Sequence, residues 1–136
     1  MDISISWVAV FVAAVANMAV GFVWYGPLFG KMWQSLMGFN EESMKNMPLT
    51  AKQAISGGFV TALIMSYVLA HFAYLSGVDT VSGGLQLAFW VWLGFIATAS
   101  ASSFLWEGKP FKLFVLNAVE QLVALSLMVC VILWLW

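Results

Sequence analysis

Four long apolar runs dominate the chain, separated by one longer polar stretch and two short ones. The runs lie near Ser4–Tyr25, Ala51–Leu75, Gly84–Leu105 and Lys112–Trp136. Each is close to the roughly 20 helical residues that cross about 30 Å of hydrocarbon. None shows the alternation that barrel strands would need, and a helix lets a lipid-facing backbone satisfy its own hydrogen bonds. The predicted fold is therefore all-α. It is a single four-span transmembrane domain over residues 1–136, its helices forming an antiparallel bundle with a short interfacial helix between the first two.

The connection over residues 26–50 carries its own signals. Gly26-Pro27 is expected to stop the first helix, because proline lacks an N–H and disfavours α geometry in the residue before it. Lys31–Met37 places Met32, Trp33, Leu36 and Met37 on one helical face, with Gly38 as terminator, and reads as a short helix lying in the interface. Asn40-Glu41-Glu42 starts a further short turn before Pro48. Thr50 and Gln53 form a capping box for the second span. Ser76–Gly83 and Trp106–Pro110 read as tight turns.

Composition strengthens the membrane reading. Hydrophobic residues make up 63% of the chain and charged residues 8%, against about 45–50% and about 25% in soluble domains. So few charges cannot cover a water-facing surface. Their placement gives orientation. Lys31, Lys45 and Lys52 belong to the first connection or its edge, and Lys109 and Lys112 to the third. The positive-inside rule then puts both lysine-bearing loops in the cytoplasm and both termini outside. Trp7, Tyr74, Trp134 and Trp136 fall near the outer interface; Trp24, Tyr25, Trp33 and Trp106 mark the inner one. The start reads as a retained span instead of a cleaved leader. Asp2 precedes it, no lysine or arginine does, and the apolar run continues past Ala14-Val15-Ala16.

The same inventory narrows the chemistry. One cysteine, Cys130, excludes an internal disulfide framework. No His/Cys/Asp cluster has metal-ligand spacing, and no phosphate-binding or nucleophile-elbow motif occurs. No metal or other cofactor is expected, nor is nucleic-acid binding, since the chain has five lysines and no arginine.

Rows of small residues at spacings of four provide packing seams: Ala9, Ala13, Asn17 and Gly21; Gly58, Ala62, Ser66 and Ala70; Gly94, Thr98 and Ser102. Whether each seam lies within one chain or between chains stays open. Polar groups inside the spans fall at a common depth in the cytoplasmic half: Asn17, Thr61, Thr98, Ser100, Asn117, Glu120 and Gln121. Glu120 is the one acid well inside a span, and burying its charge in hydrocarbon costs several kcal/mol unless it finds partners. Two readings are open. A protonated Glu120 can donate to Asn17 or a third-span hydroxyl and pin helix register; alternatively, it can bind a cation or relay a proton. His71, near the outer end of the second span beside Tyr67 and Tyr74, is an outer-side candidate. A faint repeat, Gly-Phe followed by Trp, Gly, Phe and Lys, links the ends of spans one and three.

Asn17, Gly21, Trp24-Tyr25-Gly26-Pro27, Phe29-Gly30-Lys31 and Trp33 resemble the pattern of the domain of unknown function 1761 family of small, mostly bacterial membrane proteins. The likeness continues more loosely through Gly38, His71, Trp92-Leu93-Gly94-Phe95 and Trp106-Glu107-Gly108-Lys109. It implies a four-span protein, which in a bacterium would lie in the inner membrane, and brings no activity with it. An enzyme is not expected, because no nucleophile, base or metal accompanies the acid. The leading expectation is a homo-oligomer that binds or moves a small solute or proton through the polar layer. The alternative is a scaffold or accessory subunit docking lipid or a partner protein through Trp24–Trp33.

Overall fold

A computed structural model describes residues 4–136. Asp2, which bears on the reading of the N-terminus, lies outside the described residues. Six helices follow in order: α1 Trp7–Leu28, α2 Gly30–Met37, α3 Glu41–Lys45, α4 Ala51–Leu75, α5 Val81–Leu105 and α6 Phe111–Leu135. Four of them, α1, α4, α5 and α6, are 22 to 25 residues long and apolar enough to cross a membrane. No strand occurs among the described residues.

Capping side chains set three of the four long helix starts. Ser6 Oγ accepts from the Ala9 N–H at 3.2 Å and opens α1. Thr50 Oγ1 accepts from the Gln53 N–H at 3.1 Å, and Gln53 Oε1 accepts from the Thr50 N–H at 3.0 Å. This reciprocal pair satisfies two donors that the first turn of α4 leaves free. Thr80 Oγ1 accepts from the Gly83 N–H at 3.0 Å, so α5 begins at Val81, three residues before the expected Gly84. In the short connection, Asn40 and Ser43 form a second reciprocal cap. Helix α2 closes at Gly38 with φ 74°, where the Phe39 N–H donates to the Gln34 carbonyl at 2.9 Å. That left-handed terminator is the role glycine fills with least strain.

The end of α1 departs from expectation. Gly26-Pro27 does not stop the helix; helical bonding continues to Leu28 in a wider π register over Trp24–Leu28. The Phe29 N–H closes it by donating to the Trp24 carbonyl, five residues back, at 2.8 Å. The wider turn accommodates a proline ring that a regular α turn would press against the carbonyl four residues earlier. The chain breaks only at Phe29 (φ −129°, ψ 15°) and re-enters helix at once. In α2, Trp33, Leu36 and Met37 are half-buried while Met32 stays 52% exposed, so the expected apolar face turns mostly inward. A second π segment, Trp92–Ala97, interrupts α5.

Helix α6 is the centre of the packing. It lies along α1 and α5 and also touches α2 and α4, whereas α4 and α5 make little direct contact. Leu125, Met128, Val129 and Ile132 of α6 meet Val10 and Ala13 of α1, Leu69 and Ala70 of α4, and Ala88 of α5. The small-residue rows of α1 and α4 form a seam: Ala9, Ala13, Ala62, Ser66 and Ala70 are buried. There the Ser66 hydroxyl donates to the Val10 carbonyl at 2.8 Å. The third row does not join a seam within the chain. Gly94, Thr98 and Ser102 are exposed, because α5 meets α6 through Gly84, Ala88, Trp92 and Phe104 instead.

Candidate functional site

Both π segments engage the same turn of α6. From α1, the Tyr25 hydroxyl donates to Asn117 Oδ1 at 2.7 Å. From α5, the Trp92 indole N–H donates to the Ala118 carbonyl at 2.7 Å. A backbone carbonyl has two lone pairs, so Ala118 can accept this bond without giving up its place in the helix. Single π turns inside α-helices occur often at functional sites, and here two of them hold Asn117 and Ala118 from either side.

Glu120 lies one turn further along α6. Its side chain is 3% exposed and faces α1 at Gly21. A Cβ at position 21 would lie 3.9 Å from Glu120 Oε1, so the acid lies over the bare backbone of α1 with room for no more than a methyl group between them. Among the described residues, no hydrogen-bond donor and no cation is paired with the Glu120 carboxyl. Lys31, Lys45, Lys52, Lys109 and Lys112 are all exposed.

Trp24 is on the adjoining face of α1. Its ring packs on Phe29 with centroids 4.7 Å apart, and its Nε1 is buried without an acceptor. Beside it runs an apolar groove of about 360 Å³ between α1 and α6, lined by Ala19, Val20, Val23, Trp24, Leu28 and Val123. The remainder of the aromatic block is engaged with itself. Tyr25 meets Trp33 edge-on at 5.6 Å, and Trp33 meets Phe39 at 5.4 Å. Gly26, Pro27 and Lys31 are exposed, and Gly30 is buried.

The structure draws together only part of the expected polar layer. Asn117 is bonded to Tyr25, and Glu120, one turn along α6, faces Gly21. Asn17, one turn earlier on α1, and Gln121, next to Glu120, are half-buried, as is Ser100. Thr98 is exposed, and its hydroxyl donates to the Gly94 carbonyl of its own helix at 2.7 Å, which is how a lone hydroxyl avoids an unpaired donor in lipid. His71 belongs to another cluster at the opposite end of the bundle. Its Nδ1 lies 2.9 Å from the Tyr67 carbonyl, its ring meets Tyr67 edge-on at 4.5 Å, and Tyr67 stacks on Trp7 at 5.3 Å. No group of three His, Cys, Asp or Glu side chains able to hold a metal occurs among the described residues.

Sequence reasoning placed Tyr25 in an interfacial block and left Gly21 and Trp92 without roles at the site. The spacing held one usable signal. Gly21 and Tyr25 are four apart on α1, and Asn117 and Glu120 three apart on α6, so each pair shares a helix face. Trp92 carried no comparable signal, because its role depends on the unforeseen π segment.

Four apolar helices of membrane length, three of them packed against the fourth with a buried acid at a seam, mark a polytopic α-helical membrane protein. The chain belongs to the family described as protein of unknown function (DUF1761), whose model matches residues 8–133. No curated protein and no solved structure matches it.

Proposed function

We propose that this protein binds a small solute or proton within the membrane at Glu120 and moves it as a homo-oligomer. The observation carrying this reading is Glu120 itself: a buried acid facing Gly21, with no cation or hydrogen-bond donor paired to it among the described residues. A carboxyl in such a place costs stability unless a ligand or proton completes it, and intramembrane acids are rare and tend to mark ion or substrate pathways. Tyr25 and Asn117, bonded to each other at 2.7 Å, fix the two helices on either side of it. The apolar groove beside Trp24 is open at the surface of the chain, and the reading includes further copies to enclose a path. The lysines lie in, or in the first helical turn after, the two connections that the positive-inside rule assigns to the cytoplasm, with both termini outside. In a bacterial cell this is the inner membrane. Neither catalysis nor a cofactor is part of the reading, since no nucleophile accompanies the acid.

The scaffold alternative, docking lipid or a partner through Trp24–Trp33, has weaker support because Tyr25, Trp33 and Phe39 spend their ring edges and faces on one another. The test is flux. Purified protein reconstituted into vesicles with an internal pH-sensitive dye should carry protons or solute down an imposed gradient, and Glu120→Gln should abolish it. Unchanged flux in that variant, or none in the parent, sinks the proposal.

A further inference from the structure

The turn between α4 and α5 builds a pocket at the end of the bundle away from Glu120. Helix α4 closes at Gly77, φ 67°. There the Gly77 N–H donates to the Tyr74 carbonyl at 3.1 Å and the Val78 N–H to the Ala73 carbonyl at 3.2 Å. This paired closure satisfies two carbonyls of the last turn and reverses the chain. Thr80 caps α5 immediately afterwards, so Asp79 is held between two closed helix ends. The facing wall comes from the end of α6. Leu133 lies against the start of α5, where a Cβ added at Gly84 would come within 2.6 Å of its Cδ1. Trp136 stacks on Tyr74, nearly parallel, with centroids 6.0 Å apart. Tyr74, Val78, Asp79, Leu133 and Trp136 line a pocket of about 380 Å³, within the range of small-molecule sites, roughly 300–1,000 Å³.

The lining selects the occupant. Asp79 is exposed and gives the pocket its one charged side chain. The lysines are at the other end: Lys52 and Lys112 begin α4 and α6, whose opposite ends build the pocket, and Lys31, Lys45 and Lys109 lie in the connections beside those starts. His71 is turned to Tyr67 instead, its Nδ1 2.9 Å from that carbonyl. An anion would meet a like charge, and a divalent metal ion, which needs six or more oxygen ligands, would find one carboxylate. The two rings are not used up by their stacking, since Tyr74 and Trp136 stay 46% and 43% exposed. A carboxylate beside open aromatic faces and the apolar Val78 and Leu133 suits a weakly hydrated cation. The π faces attract its charge, the apolar wall receives its methyl groups, and the acid supplies the counter-charge. We propose that this pocket binds an alkylated ammonium group, presented by a free solute or by a lipid headgroup. Counted to Leu133 at the helical rise, it lies about 20 Å along α6 from Glu120, so it stands apart from the reading of that acid.

Choline is the probe, and the sample is the full chain in nanodiscs of phosphatidylglycerol, a lipid without an ammonium group. Saturation-transfer NMR on the choline methyl signal, with empty discs subtracted, should show saturable binding. Dimethylbutanol, the neutral carbon isostere of choline, should bind at least about fourfold more weakly, having lost both the ion pair and the π attraction. Asp79→Asn and Trp136→Leu should each weaken choline binding by about two- to fivefold, the range for exposed contacts of these kinds. Trp136→Phe, which keeps a π face, should retain most of it. Absence of saturable binding, equal affinity for the isostere, or unchanged affinity in Asp79→Asn or Trp136→Leu overturns the inference. Discs that also contain phosphatidylcholine identify the source of the group. Competition with choline assigns the pocket to a lipid headgroup, and unaltered choline affinity assigns it to a free solute.

Discussion

Gly30→Ala is expected to loosen the turn that carries the chain from α1 into α2. A Cβ built at Gly30 would lie 2.7 Å from the Tyr25 carbonyl oxygen. Weak carbon–oxygen contacts settle at about 3.3–3.6 Å, so the added methyl group demands a shift of about 0.6 Å or more. The obstacle is backbone, and hydrogen bonds hold both flanks. The Phe29 N–H donates to the Trp24 carbonyl and the Trp33 N–H to the Phe29 carbonyl, each at 2.8 Å. Relief must therefore disturb the π turn itself and, through Tyr25, the bond to Asn117. Overpacking of this kind costs about 1–3 kcal/mol. Gly26→Ala is the matched control, because a Cβ there meets nothing within 4 Å. Replacing a helical glycine by alanine gains up to about 1 kcal/mol. Two alanine substitutions in the same short block should thus separate by about 1–4 kcal/mol. Reversible unfolding in mixed micelles of rising dodecyl sulfate fraction, followed by circular dichroism, measures the gap. Should the two variants unfold at the same dodecyl sulfate fraction, the close-approach argument is refuted.

Tyr25→Phe and Asn117→Leu, taken singly and together, should reveal a coupling of about 0.6–1.7 kcal/mol, the range of hydrogen bonds between membrane helices. A coupling indistinguishable from zero would mean that the 2.7 Å contact does not stabilise the seam. Cys130, half-buried on α6, should react with an impermeant thiol reagent from outside or not at all. Labelling only from the cytoplasmic side would invert the assigned orientation.

The long helices were legible because nothing subtle specifies them: four apolar runs, a Thr50–Gln53 cap and a Gly38 terminator act locally. Proline at position 27 misled because its rule concerns the α register, whereas the chain escapes into a π turn whose cost and benefit depend on packing against α6. The early start of α5 was missed for a local reason: two consecutive glycines masked the cap at Thr80. Around the site, Asn117 and Glu120 stood out as polar groups in an apolar run. Thr98 stood out equally, yet it faces outward and closes on its own carbonyl. Depth along a helix is readable from residue count; the angle around it depends on which neighbour the helix chooses, and for α5 that choice was visible only in three dimensions. Gly21 is the reverse case. A glycine in a small-residue row announces close approach, but only the partner helix reveals that a carboxyl is what approaches.

The central position of α6 has a consequence for how the molecule is put together. Of the six largest fully enclosed side chains, Leu125, Met128, Val129 and Ile132 belong to it, and it is the last of the four spans to leave the ribosome. Membrane helices insert first and associate afterwards. Until α6 arrives, α5 lacks its main protein neighbour, and α1 can dock only on α4. The bond between Tyr25 and Asn117 then joins residues 92 positions apart. Final assembly is accordingly a late event governed by one helix, and a defect in its insertion would be felt at once by α1 and α5, whose own sequences are sound.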